Sequence, residues 1–332
     1  MSKIFIDGSA GTTGLSIRKR LAARPELEIL TLPEEKRKNI DARLEMIYNA
    51  DVAFLCLPDD ASKEIAELAK GAGTVIIDTS TAHRTAEGWT YGLPELAGQR
   101  EKIKKSKRIA NPGCHATGYI VLTAPLIKAG FISDNAFLSC TSLTGYSGGG
   151  KKMIAAYEAD QSGVSTNGTS SVDPAEGAVN DVRDKLLDAP RLYGLSQNHK
   201  HIPEMVKYSG IQNPPVFLPI VSDFYSGMEV VIPCSGGLIP EAAGPDDLAA
   251  IYRDYYGSGG VIRVRQSGDE EGFLSARRLS GRDDLEISIF GKAGSIILTA
   301  RYDNLGKGAS GAAIQNMNIA LGYEETSGLV IS

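Results

Sequence analysis

The sequence predicts an α/β protein whose first part is a Rossmann-type doubly wound parallel sheet, joined to an α+β unit with a mixed sheet. Two observations predict the first part. Through residues 1–78, short apolar runs alternate with helical patterns. Near-continuous apolar strands separated by helices belong to parallel sheets covered on both faces. A glycine-spaced turn also joins the first strand to the first helix, where such sheets bind their ligands. A change of grammar after residue 114 predicts the second part: the runs there look like strands joined by turns, with few helices.

The elements follow in order. Residues 3–7 (KIFID) form the first strand. Residues 14–23 form a helix, with Leu15, Ile17, Leu21 and Ala22 spaced for one buried face. A strand at 27–32, a helix at 44–49, a strand at 52–57, a helix at 61–69 and a strand at 74–78 complete the alternation. A helix at 116–128 then leads to a strand at 136–143 and the glycine-rich 145–150. Residues 161–180 are polar and rich in Ser, Thr and Gly, as an exposed connection would be. Strands at 216–221, 228–233, 261–264, 285–290 and 295–301 build the second sheet, and a last helix spans 310–323. The expected domains are 1–113, completed by 310–332, and 114–309.

A chain of 332 residues has room for two domains. Its 42% hydrophobic and 23% charged residues fit a soluble globular protein. A net charge of −5 gives no reason to expect nucleic acid or an anionic membrane as partner. No apolar run approaches the roughly 20 residues that span a bilayer. The N-terminus enters a strand at once, so no signal peptide is expected. Cys56, Cys140 and Cys234 lie in apolar runs and are read as buried thiols, whereas Cys114 follows a turn. None forms a CxxC pair, so neither a structural zinc nor a dithiol site is indicated, and reduced thiols fit a cytoplasmic location.

The turn after the first strand reads Gly8-Ser9-Ala10-Gly11-Thr12-Thr13-Gly14. Its glycines let a pyrophosphate approach the backbone, and the following helix N-terminus offers free N–H groups and positive potential. This is a Rossmann-type dinucleotide site. Beyond the second strand, Lys36, Arg37 and Lys38 suit the 2′-phosphate of NADP, while Glu34 and Glu35 suit the ribose of NAD.

Asn111-Pro112-Gly113-Cys114 places a thiol at the start of a helix. A helix N-terminus lowers thiol pKa, so Cys114 is expected to be a thiolate nucleophile. Asn198-His199-Lys200-His201-Ile202-Pro203-Glu204 is too polar for core packing. One of His199 and His201 serves as general acid/base, with Glu204 among the groups that orient it or bind an anionic substrate. A His-x-His pair can chelate, but no further cysteine or carboxylate set completes a site, and no metal is expected. His115 is expected to point elsewhere along its helix.

Three further segments suit anions. Asp78-Thr79-Ser80-Thr81-Ala82-His83-Arg84 follows a strand's carboxyl end, with Ser80 near the cofactor and Arg84 able to grip a carboxylate or phosphate. Ser147, Gly148, Gly149 and Lys151 form a second cradle for substrate. Asn304 and Lys307, in the loop before the last helix, are placed to reach the cofactor.

Taken together, GSAGTTG (8–14), DTSTAHR (78–84), YGLPEL (91–96), NPGCHATG (111–118), YSGGGK (146–151), NHKHIPE (198–204) and DNLGKGASGAAIQNMN (303–318) resemble the N-acetyl-gamma-glutamyl-phosphate reductase family, in its short-chain class. The NHKHIPE block separates it from the related aspartate-semialdehyde dehydrogenases. The resemblance implies NADPH-dependent reduction of N-acetylglutamyl 5-phosphate to the 5-semialdehyde, in arginine biosynthesis. It also implies a thioester on Cys114, a homo-oligomer, a last helix returning to the first domain, and a cytoplasmic location.

Overall fold

The computed structural model describes residues 1–159, 184–258, 260–265 and 269–331. The connection expected at 161–180 lies outside the described residues.

The first sheet has six strands: β1 (Ser2–Asp7), β2 (Leu27–Leu30), β3 (Val52–Leu55), β4 (Val75–Asp78), β5 (Thr90–Tyr91) and β6 (Arg108–Ala110). Their order is β2-β1-β3-β4-β6-β5, and every pairing is parallel. The parallel, doubly wound expectation is met. Alternate residues serve opposite faces. Ile4, Ile6, Val52, Phe54, Val75 and Ile77 pack with Ile17 and Leu21 of α1 (Thr12–Leu21). Phe5, Ala53, Leu55 and Ile76 face Ile47 of α2 (Ile40–Asn49) and Ile65 of α3 (Asp59–Leu68).

Several boundaries and elements differ from the sequence reading. Helix α1 starts at Thr12, because the chain already turns at Gly11. Helix α2 starts at Ile40, where the Asn39 side chain caps it by accepting the Ala42 N–H at 2.9 Å. The reading contains no element between residues 78 and 114, where the structure has β5, α4 (Gln99–Lys105) and β6. These are short, and α4 buries only Gln99 and Ile103, so no apolar period marks it.

Helix α5 (Cys114–Lys128) begins at Cys114 itself and is buried from His115 to Leu126. Then come β7 (Ser139–Gly145), α6 (Gly150–Glu158), β8 (Arg191–Leu192), α7 (Ile202–Ser209), β9 (Val216–Ser222), β10 (Met228–Ser235), α8 (Pro245–Tyr256), β11 (Ile262–Arg265), β12 (Leu285–Lys292), β13 (Ser295–Tyr302) and α9 (Gly311–Leu321). The second sheet runs β11-β12-β13-β10-β7-β9-β8. The β7/β9 and β11/β12 pairs are parallel and the others antiparallel, a mixed sheet as expected. Helices α7 and α8 are the few helices expected among the turn connections, though the sequence reading does not place them. The Pro245 start of α8 and the Asp247 carboxylate accepting the Gly244 N–H were legible signals for it.

One face of the second sheet, with Val230, Ile232, Leu298 and Ala300, packs on α5 and on Leu248 and Tyr252 of α8. Helix α9 returns to the first sheet, where Ile314 and Met317 join the cluster of Ile4 and Phe54. Thus α5 is buried in the core of the second domain, and its N-terminus opens into the cleft. Among the described residues, no helix is long and apolar enough to cross a membrane.

Candidate active site

The cleft has a volume of about 560 Å³. Gly11, Thr12, Thr13 and Gly14 at the start of α1 line one end, and Cys114, His199 and His201 line the other. Ser80, Arg84, Ser147, Gly148, Gly149 and Asn304 also line it. Gly8, Ser9 and Ala10 face a neighbouring cavity of about 590 Å³ on the other side of the loop. The glycine turn therefore stands between two cavities, as a dinucleotide lying across it requires.

Carboxylate 204 organises the thiol end. Glu204 is 1% exposed, and both its oxygens are taken. Oε1 accepts Arg84 Nη1 at 2.8 Å, while Oε2 accepts the Tyr91 hydroxyl at 2.7 Å and the Gly113 N–H at 3.0 Å. Arg84 is held further by Nε donating to Asn111 O at 3.0 Å. Tyr91 stacks on Tyr208 at 3.8 Å, and the Tyr208 hydroxyl donates to Arg84 O at 2.7 Å. A Cβ on Gly113 would lie 2.4–2.6 Å from Arg84 Nη1, Glu204 Oε1 and His201 Nε2, so only glycine fits before the cysteine. On the opposite side, a Cβ on Gly308 would lie 2.9 Å from the Cys114 Cβ.

The DTSTAHR segment is a turn built on Asp78. Its carboxylate accepts Ser62 Oγ at 3.0 Å and Ser80 N and Oγ at 2.9 and 2.7 Å. His83 Nδ1 lies 2.6 Å from the same carboxylate, and the His83 ring stacks on Trp89 at 3.9 Å. This turn aims Arg84 into the cleft.

The electrostatics correct one expectation. Burial pushes the Cys114 thiol up to about 11, against the lowering effects of Arg84, the His115 N–H and Lys200. Desolvation outweighs the helix N-terminus here, so the thiol is protonated at neutral pH. Burial, with Lys200 and Arg84 adding to it, also pushes His199 down to about 4. His201 is held well below the usual imidazole range, by burial first and then by Arg84.

Other expectations are corrected by position. Glu204 does not face the substrate space, because its carboxylate is fully engaged inside. Lys151 is exposed on α6 and lies outside the cleft lining. Lys307 is 1% exposed, with Nζ bonded to Glu95 at 2.7 Å and Gln315 at 2.6 Å, so it pins α9 instead of reaching a cofactor. Asn304 reaches the cleft, but its amide is spent on Gly227 N and Ser147 Oγ, both at 2.9 Å. Lys36 is exposed and lines neither cavity, whereas Arg37 lines the second with Arg18, Lys38 and Arg43. His115 does not point away from the site. Its ring lies 5.4 Å from His201 and 5.6 Å from His199, and it lines the cleft.

Lys200, the lysine of the polar segment 198–204, lines the cleft as a group for an anion would. One residue escaped the sequence reading altogether: the Tyr193 hydroxyl lies 2.7 Å from His115 Nε2. No spacing signals Tyr193, because its place depends on β8 pairing with β9.

Comparison with known proteins fits this geometry. Residues 3–106 match the semialdehyde dehydrogenase NAD binding domain. Residues 114–167 and 158–304 match the semialdehyde dehydrogenase dimerisation domain. N-acetyl-gamma-glutamyl-phosphate reductase 2 of Nostoc sp. is 39% identical, with 98% of this chain and 99% of the relative aligned. The reductase of Brucella anthropi is 43% identical, with 96% and 98% aligned. The chain belongs to the N-acetyl-gamma-glutamyl-phosphate reductase family. It is an oxidoreductase with a nicotinamide-dinucleotide domain and a domain of dimerisation type, and the family named from its motifs is the right one. The solved structure of aspartate semialdehyde dehydrogenase II from Vibrio cholerae shares the fold, at a TM-score of 0.72 and 17% identity over 97% of this chain and 98% of that one. The Candida albicans aspartate semialdehyde dehydrogenase, solved with NADP, gives 0.63 and 15% over 96% and 99%.

Proposed function

We propose that the protein reduces N-acetyl-L-glutamyl 5-phosphate to N-acetyl-L-glutamate 5-semialdehyde with release of phosphate, as a cytoplasmic homo-oligomer in arginine biosynthesis. The observation that carries this reading is one cleft holding a thiol, imidazoles, a guanidinium and a glycine turn together.

The cofactor proposed is NADPH, which supplies a hydride when bound. Gly11, Thr12 and Thr13 would hold its pyrophosphate at the start of α1. Four cations, Arg18, Arg37, Lys38 and Arg43, line the second cavity against one carboxylate, Asp7, and β2 is followed by Thr31 and Leu32 instead of an acid. That balance suits a 2′-phosphate better than a free ribose.

In the reaction, the Cys114 sulfur attacks the acyl carbon, the acyl–phosphate C–O bond breaks, and phosphate leaves. His201 takes the thiol proton. It is favoured over His199 because a ring nitrogen of His201 lies within 4.8 Å of the Cys114 sulfur. At rest, Arg84 favours the thiolate but opposes the imidazolium. An anionic substrate on Arg84 offsets both effects, so the proton moves from sulfur to the imidazole as the C–S bond forms. After reduction to the thiohemiacetal, the C–S bond breaks, the aldehyde leaves, and His201 returns the proton to sulfur. The N-terminal N–H groups of α5 stabilise the oxyanion.

The test is oxidation of the semialdehyde followed in the presence and absence of phosphate. Reduction of NADP only with phosphate present is the expected result. Equal turnover of aspartate semialdehyde would overturn the substrate assignment.

A further inference from the structure

The sequence reading finds no metal set around His199 and His201. Folding brings one together. Cys114, His115 and His201 each offer a ligand atom, and these atoms lie within 4.8 Å of one another; among the described residues they form a group able to hold a metal ion. We propose that this trio is a binding site for a thiophilic divalent cation, zinc foremost, which reversibly blocks the nucleophile. The proposal rests on the reading of Cys114 as nucleophile, since the same sulfur cannot ligate zinc and attack an acyl group.

The donor set suits the ion. Zinc takes thiolate at about 2.3 Å and imidazole at about 2.0–2.1 Å, which places tetrahedral ligands about 3.5 Å apart. Side-chain rotations of about 1 Å would draw the present trio onto an ion.

His115 is already prepared as a ligand. Its Nε2 lies 2.7 Å from the Tyr193 hydroxyl and its Nδ1 2.7 Å from Ser142 Oγ. In the tautomer with the proton on Nδ1, Ser142 accepts it and holds the ring as outer partners of ligating imidazoles do, and Nε2 presents a lone pair when Tyr193 gives way. His201 is buried, and its Nδ1 has no hydrogen-bond partner among the described residues, so no neighbour fixes which ring nitrogen carries the proton. Arg84 does not bar the cation, because Glu204 pairs with it at 2.8 Å. The fourth zinc position would face the cleft and take water. His199 stands close behind, its ring centroid 4.8 Å from that of His201.

Binding breaks the S–H bond, forms a Zn–S bond and releases one proton to solvent. Hard cations such as magnesium prefer oxygen ligands and should not compete.

The experiment is calorimetric titration of chelator-treated, tag-free full-length protein with zinc chloride, with magnesium chloride as control. One zinc per chain with release of one proton is expected, and no magnesium binding. Cys114→Ser and, separately, His201→Asn should weaken zinc binding roughly tenfold or more, and Ser142→Ala about tenfold. Circular dichroism confirms that each variant folds. Cobalt(II) supplies a second readout: a thiolate-to-cobalt charge-transfer band with the intense visible bands of tetrahedral cobalt. Unchanged zinc affinity in folded Cys114→Ser, or a cobalt spectrum without the thiolate band, would overturn the proposal. None of these readouts uses turnover. Zinc binding by protein that shows no phosphate-dependent activity when metal-free would therefore sink the functional reading alone, and activity without zinc binding would sink the metal site alone.

Discussion

Two helices of this protein open into the same cleft, and their N-termini work in opposite ways. Helix α1 follows β1 through a glycine turn; a Cβ on its Gly11 cap would make only ordinary contact, the nearest atom being Gly8 O at 3.4 Å. Helix α5 follows β6 through Asn-Pro-Gly, and there the Gly113 N–H is already taken by Glu204. The first terminus leaves its positive end for a ligand. The second is crowded by Arg84, Glu204 and His201, and the thiol it carries is pushed up to about 11 by burial. A helix N-terminus is thus no guarantee of an activated thiol. What decides is whether its field acts in a solvated or a desolvated place.

The largest break in this comparison is chemical. Cys114→Ala should lower phosphate-dependent turnover by about ten-thousandfold, while a fluorescence titration shows NADPH binding unchanged. Next comes the scaffold of the crowded end. Glu204→Gln should cost about 3 kcal/mol in denaturant unfolding and lower kcat, since Arg84 and the Gly113 N–H lose their shared anion. Equal stability of that variant would show that Glu204 does not hold the α5 turn.

A matched pair of glycine substitutions sharpens the contrast. Gly113→Ala should cost about 1–3 kcal/mol and most of the activity, because its Cβ meets three polar atoms. Gly11→Ala should move the melting temperature by less than about 2 °C yet raise the NADPH KM about tenfold. The smallest effect concerns titration. In metal-free protein, alkylation of Cys114 by iodoacetamide should rise about tenfold per pH unit from neutrality toward 11, because thiolate accumulates as pH rises to the raised pKa. A plateau near pH 7 would mean that the dipole wins after all.

The same contrast explains what was legible in the sequence. Strands β1, β3 and β4 are apolar on both faces, and the glycine turn beside them announces its conformation locally. Cys114 was legible as a special thiol because a Pro-Gly turn precedes it. Its pKa was not legible, since burial depends on the start of α7 and the loop at 308 closing around it. Lys307 and Glu204 read as surface ligands because charged residues in polar loops usually are. Their partners, Glu95 for one, Arg84 and Tyr91 for the other, come from distant stretches of chain. His115 was misjudged for the same reason: neighbours at β8 and α7 turn it into part of a cluster.

The return of α9 carries a consequence for synthesis on the ribosome. Asn316 of that helix donates to Asn111 in the turn before Cys114, across 205 positions of sequence. Ile314 and Met317 fill the core beneath β1 and β3. At roughly 5–20 residues per second, a nascent first sheet waits some 10–40 s for the helix that covers it. Until then its apolar face is open to chaperones, and the cysteine turn lacks its anchor. The nascent chain is therefore inactive until its second domain has been made.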